Sequence, residues 1–206
     1  SEREHPQKPI VGTGVFDENP MHRDINEAAK LVGLDVSINC IINMWGETVS
    51  LFTGAMTLSH DTAVQEAKTH YLTPRTKGKD IVIANTYAKV NEAALGLEIA
   101  YPSINPKGGD VILIANAPEG QVTHYLMGLF GKTTGAKLHR RRVIPEHINH
   151  LIVFTEYPHP GSSWLDDDDK ILYFSKWDDV LKFLQKSHGA DTKVAVYPNA
   201  EIQYYG

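Results

Sequence analysis

The sequence predicts an α/β fold, a three-layer doubly wound (Rossmann-like) mostly parallel sheet with an antiparallel hairpin. Three observations predict it. Two apolar runs, Ile81-Val82-Ile83-Ala84 and Val111-Ile112-Leu113-Ile114-Ala115, are continuous rather than alternating and rich in β-branched side chains. That composition marks strands covered on both faces, as in a parallel sheet. Between them, residues 91–104 can form a helix with Leu95, Ile99 and Ala100 (or Leu97 and Tyr101) on one stripe, until Pro106-Lys107-Gly108-Gly109 turns the chain back. Strand, helix and strand make a right-handed crossover unit. Further short apolar runs then alternate with helical patterns toward the carboxyl end.

Taken in order, residues 1–11 form a charged, proline-containing lead-in, and residues 12–206 read as a single α/β domain. Asn19 caps a helix that opens at Pro20, carries Ile25, Ala28, Ala29 and Val32 at helical spacing, and ends at Gly33. Residues 36–44 and 48–52 flank Trp45-Gly46-Glu47 as a hairpin, expected to give the sheet an antiparallel edge. Thr57 or Ser59 can cap a further helix with Ala63, Ala67 and Tyr71 on its stripe, ending before Pro74. The basic linker with Arg75, Lys77 and Lys79 leads into the Ile81 run. Beyond Gly120 the pattern gives a helix at 122–130, strands at 152–154 and 171–174, and a helix at 177–187 with Val180, Leu181 and Leu184 inward. A closing strand follows at 194–197, and residues 201–206 read as a tail.

Composition narrows the function classes. The 206 residues carry 20 basic and 25 acidic side chains, a formal net charge of −5, so no overall attraction to nucleic acid or to an anionic membrane is expected. No apolar run approaches the roughly 20 residues that cross a bilayer, and the first ten residues lack a secretory apolar core. The single cysteine, Cys40, sits in an apolar strand as a small buried hydrophobe and excludes an internal disulfide framework. Together these features fit a cytoplasmic protein. No phosphate loop, dinucleotide fingerprint, nucleophile elbow, HExxH or CxxC pattern occurs, and no metal-ligand set is recognised.

The chemistry-bearing residues gather after the two buried strands. Both runs end in asparagine, Asn85 and Asn116, and parallel pairing places their trailing loops at one carboxyl edge, where open α/β sheets bind ligands. Tyr87, Lys89, Asn91 and Glu92 supply a phenol, a cation, an amide and a carboxylate within six residues of the first strand. The bland alternative has Asn91 as a helix cap, Glu92 in the first turn and Lys89 solvated. Glu119 and His124 follow the second strand, and Arg140 heads a basic triplet able to clamp a carboxylate. His159 lies in a stiff proline-flanked loop, whereas His60 and His70, on one helix, read as structural or solvated.

Residues 14–43 (GVFDENPMHRDINEAAKLVGLDVSINCIIN), the helix bearing His60, Ala63, Val64 and Ala67, and the segments DIVIAN and NPKGGDVILIANAPEG together resemble the carboxyl-terminal domain of the nickel-pincer lactate racemase family, as a divergent member. The likeness runs from about Gly12 onward and is strongest at 19–43 and 80–120. It implies the second, cleft-closing domain of a two-domain isomerase. The upstream domain of such a protein holds the covalently tethered nickel pincer nucleotide, so none is expected to be bound by this chain alone. The family's second domain contributes a QxxK pair after the central strand; here Tyr87 corresponds but QxxK is absent. The resemblance therefore implies a racemase or epimerase acting on a 2-hydroxy acid other than lactate, with Lys89 and Asn91 placed to take over substrate contacts and Lys89 or Arg140-Arg141-Arg142 to hold the carboxylate. Its expected partners are a small-molecule hydroxy acid and the upstream domain, with homo-oligomerisation left open. A non-catalytic ligand-binding or assembly domain is the rival reading. A nucleotide-binding domain is disfavoured because no glycine-rich loop follows a strand.

Overall fold

A computed structural model describes residues 14–121, 143–157, 165 and 168–205. In chain order its elements are α1 (Pro20–Leu31), β1 (Ser37–Ile42), β2 (Thr48–Gly54), α2 (Met56–His70), β3 (Leu72–Thr73) and β4 (Ile81–Asn85). A run of short helical turns follows: a 3₁₀ turn (Val90–Gly96), α3 (Leu97–Ala100) and a second 3₁₀ turn (Tyr101–Ser103). Then come β5 (Gly109–Ile114), β6 (Ile148–Phe154), β7 (Ile171–Phe174), α4 (Trp177–Leu184), β8 (Val194–Tyr197) and β9 (Tyr204–Tyr205). These elements fall into two compact units.

The larger unit is built on a five-stranded sheet of order β7-β6-β5-β4-β8, parallel at every pairing. Its strands are the continuous apolar runs, and both faces are covered. Ile81, Ile112 and Ile152 pack with Val180 and Leu184 of α4, ringed by Ile83, Phe154, Phe174 and Trp177. Side chains alternate across a strand, so Val82, Val111, Leu113, Leu151 and Val153 point to the opposite face and are buried there, as are Ala93, Leu97 and Ala100 of the helical turns. Three layers and a doubly wound, Rossmann-like sheet result.

The predicted helix over 91–104 is instead broken into three turns. Gly96 explains part of this: a Cβ there would meet Thr86 Cγ2 at 2.9 Å and Ala200 Cβ at 3.2 Å, so the backbone itself packs on the sheet. Pro102 adds a second break. Asn91 caps nothing, since the first turn begins after Lys89 without a side-chain cap. In α4, Val180 and Leu184 are buried as expected but Leu181 is exposed, because the helix is eight residues long and only one narrow stripe meets the sheet.

The smaller unit holds α1, α2, the β1–β2 hairpin and the short parallel pair β3–β9. Asn19 caps α1 by accepting the Met21 N–H at 3.0 Å, and Gly33 (φ +71°) closes it in the left-handed region. The hairpin forms where predicted, but as its own two-stranded sheet rather than as an edge of the large one. Within this unit α2 packs on the hairpin, and among the described residues the alternation of β1 leaves Cys40 exposed rather than buried. Neither Thr57 nor Ser59 caps α2, whose cap position is Ala55. Ser59 is instead buried inside the helix, its hydroxyl 2.5 Å from that of Ser37 on β1. Tyr71 accepts the Ile42 N–H at 2.9 Å, and burial raises the pKa of its phenol. Residues 204–205, read as tail, pair with β3.

Candidate functional site

The order of the large sheet fixes where a site can form. From β4 the chain steps outward through β5, β6 and β7, then returns so that β8 lies on the other side of β4. The strand order reverses between β4 and β8, and their carboxyl ends flank the crevice that such a reversal opens. Asn85 and Asn116 do follow parallel neighbours at one edge, in the register Asn85↔Ile114. The reversal, however, lies on the β8 flank of β4 rather than between β4 and β5.

The loop after β4 is tied to the loop after β8 by four bonds. Asn85 Nδ2 donates to Pro198 O at 2.8 Å, and Ala200 N–H donates to Asn85 O at 2.8 Å. Asn199 Oδ1 accepts the Ala88 N–H at 3.1 Å, and Glu201 Oε2 accepts the Lys89 N–H at 2.6 Å. The Lys89 ammonium lies 3.6 Å from Glu92 Oε2, a carboxylate whose side chain is only 10% exposed. Lys89, Glu92 and Glu201 thus form one charged cluster at the reversal point. Tyr87 stands exposed on the same loop, and Asn91 lies within the turn that follows.

Glu201 has the most perturbed environment of the three. Burial pushes its carboxyl up to about 7, with the Lys89 N–H and ammonium pulling it down and the Glu92 charge adding to the rise. Its Oε1 is buried without a hydrogen-bond partner among the described residues. A carboxyl held near neutrality beside an ammonium is suited to accepting and returning a proton at physiological pH. By sequence Glu201 falls in the stretch predicted as a tail. Its only local signal was a carboxylate four residues beyond a short apolar run, which becomes meaningful once β8 is known to pair with β4.

The other candidates separate from this cluster. Asn116 binds the end of β6, its Oδ1 accepting the Glu156 N–H at 2.7 Å and its Nδ2 donating to Glu156 Oε2 at 3.3 Å. Glu119 is exposed in the turn after β5. Gln121, not singled out from sequence, locks that turn to the one after β4 by accepting the Ala93 N–H at 2.9 Å and donating to Val90 O at 2.8 Å. His124, Arg140 and His159 lie outside the described residues, as does the helix expected at 122–130. The cluster offers an ammonium, carboxyls and amides, with no imidazole or thiol brought to it among the described residues. That donor set does not fit a nickel centre, which favours softer nitrogen and sulfur ligands, and no chemical step is derived through one.

Fold and site together define a doubly wound α/β domain with an acid–base cluster at its topological reversal. No protein-family model and no curated protein matches the chain. Among solved structures it is similar to the lactate racemase apoprotein of Thermoanaerobacterium thermosaccharolyticum, with a TM-score of 0.63 and 19% identity. That match covers 97% of this chain and 52% of the other. A protein from Thermotoga maritima is similar with a TM-score of 0.51 and 13% identity, over 88% of this chain and 52% of that one. The chain thus spans about half the length of each, and the likeness shows a shared fold. No helix among the described residues is long and apolar enough to cross a membrane.

Proposed function

We propose that this chain is the closing domain of a lactate-racemase-like enzyme that inverts a 2-hydroxy acid other than lactate. The observation that carries the reading is the cluster at the β4/β8 reversal, where Glu201 accepts the Lys89 N–H, its carboxyl is held at about 7, and the Lys89 ammonium pairs with Glu92. Inversion at the α-carbon needs the substrate carboxylate held and a proton moved on and off oxygen near neutral pH. Lys89 supplies the charge for the first task. Glu201 supplies a group poised for the second, and Glu92 keeps the ammonium oriented. Support also comes from the shared fold with the lactate racemase apoprotein. Acceptance of the α-hydrogen would fall to a nickel pincer nucleotide held by an upstream domain, not to the residues of this cluster. The absence of QxxK after β4 supports a substrate different from lactate.

The test is kinetic. Full-length protein, nickel-loaded, is assayed against a panel of 2-hydroxy acids, with Lys89→Ala beside it. The expected result is inversion of at least one acid and a loss of kcat/KM of about 10²-fold or more in the variant, the scale of a lost positioning charge. Unchanged kinetics remove Lys89 from the site. Binding of a hydroxy acid without inversion favours the non-catalytic reading instead.

A further inference from the structure

The smaller unit carries a second cluster of ligand-bearing side chains. His22 on α1 and His60 and Asp61 on α2 offer two imidazoles and a carboxylate whose ligand atoms all lie within 4.8 Å of one another. The two rings face each other at 4.8 Å between centroids, inclined by 34°. His22 and Asp61 border a cleft of about 380 Å³ whose walls also include Asp17, Arg23, Asn26 and Gln65. Thr57, Asp61 and Gln65 follow one another at intervals of four along α2, so a single helix face lines the cleft.

Two features of this cluster call for a ligand. His60 Nδ1 is buried with no hydrogen-bond partner among the described residues, and its distance of 3.8 Å from Asp61 Oδ1 is too long for a hydrogen bond. A buried, unpartnered ring nitrogen is destabilising, and a bound ion removes that cost. Asn26 Nδ2 also lies 3.2 Å from His22 Nε2. With that amide turned about so that its oxygen accepts from Nε2–H, the ring is fixed and Nδ1 keeps its lone pair for a metal.

From this geometry we infer that His22, His60 and Asp61 bind one divalent first-row transition metal ion, of the zinc and cobalt type. Two imidazoles and one carboxylate suit such ions better than magnesium or calcium, which favour all-oxygen sets. Ligand atoms around a tetrahedral ion stand roughly 3.3 Å apart. Three protein ligands leave a fourth position open toward the cleft, where Arg23 can hold an anionic oxygen ligand. The site departs from the expectation that the sequence holds no metal-ligand set. It does not depend on the reading of the β4/β8 cluster.

The chain is stripped with chelator and titrated with Zn(II) by calorimetry at pH 7.5, and with Co(II) by visible absorbance. Expected are one equivalent of bound Zn(II) that excess Mg(II) does not displace, and affinity at least tenfold weaker in both His22→Ala and His60→Gln. Circular dichroism confirms that α1 and α2 persist in the variants. Should a variant unfold, imidazole NMR spectra of the native chain decide, since added Zn(II) must shift two ring signals together and leave the rest in place. No binding at micromolar Zn(II), binding that survives both substitutions, or ring signals that do not move would overturn the assignment.

Discussion

Substituting Glu201→Gln should change how the fold responds to pH. In the folded chain the carboxyl sits at about 7 against an ordinary value of 4.5, raised chiefly by burial. Between those values the native state holds a proton that the unfolded chain has released, so stability falls as pH rises through the window. Taken whole, the difference corresponds to roughly 3 kcal/mol. Glu201 is only partly buried, and solvent screening reduces the expected loss to about 1–2 kcal/mol. Gln keeps an acceptor for the Lys89 N–H but cannot ionise. Urea unfolding at pH 5 and pH 8 measures the effect as a difference of differences, which cancels the titrating histidines common to both proteins. The native chain should lose about 1–2 kcal/mol more than the variant between the two pH values. Equal pH slopes would refute the claim that burial raises this carboxyl.

Two further substitutions probe the frame that positions the cluster. Asp110, 1% exposed at the amino edge of β5, binds His150 Nδ1 at 2.8 Å and His188 Nε2 at 2.6 Å through its two oxygens. Asp110→Asn should cost about 2–4 kcal/mol by chemical denaturation, since one amide cannot accept from both rings; a loss below about 0.5 kcal/mol would show that the histidines do not depend on the carboxylate. Gly96→Ala sets about 1 kcal/mol of helix propensity gained against overpacking of about 1–3 kcal/mol. Overpacking should win, because Thr86, 2.9 Å from the added Cβ, is fully buried and its Oγ1 donates to Ile114 O at 2.6 Å. A more stable variant would mean that the contact relaxes freely.

The parallel sheet was legible because its strands are saturated with apolar side chains. Ile81–Ala84 and Val111–Ala115 admit no solvent face, and that alone implies helices on both sides. The hairpin was legible from Trp45-Gly46-Glu47, but its attachment was not, since a turn sets the register of two strands and says nothing of a third. Cys40 was misjudged for the same reason. It alternates onto the exposed face of a hairpin that forms its own two-stranded sheet. The crossover breaks although residues 92–95 and 97–100 are mostly good helix formers, because Gly96 interrupts them and packs its backbone closely on the sheet.

Half of the acid–base cluster was readable and half was not, and the division follows sequence distance. Lys89 and Glu92 lie on one short loop, so any account of β4 finds both. Glu201 reaches the Lys89 N–H across 112 positions, and only the return of β8 to the far side of β4 brings it there. A reversal of strand order is invisible in local periodicity, because β8 looks the same whether it extends the sheet beyond β7 or crosses back past β4. Yet that crossing sets the chemistry. With β8 beyond β7, Glu201 would not reach the loop that carries Lys89 and Glu92. With β8 beside β4, a second carboxyl is pressed against the same loop, loses solvent, and is held near neutrality. The topology of the last strand, more than any motif, brings to the Lys89–Glu92 pair a second carboxyl poised to exchange a proton at pH 7.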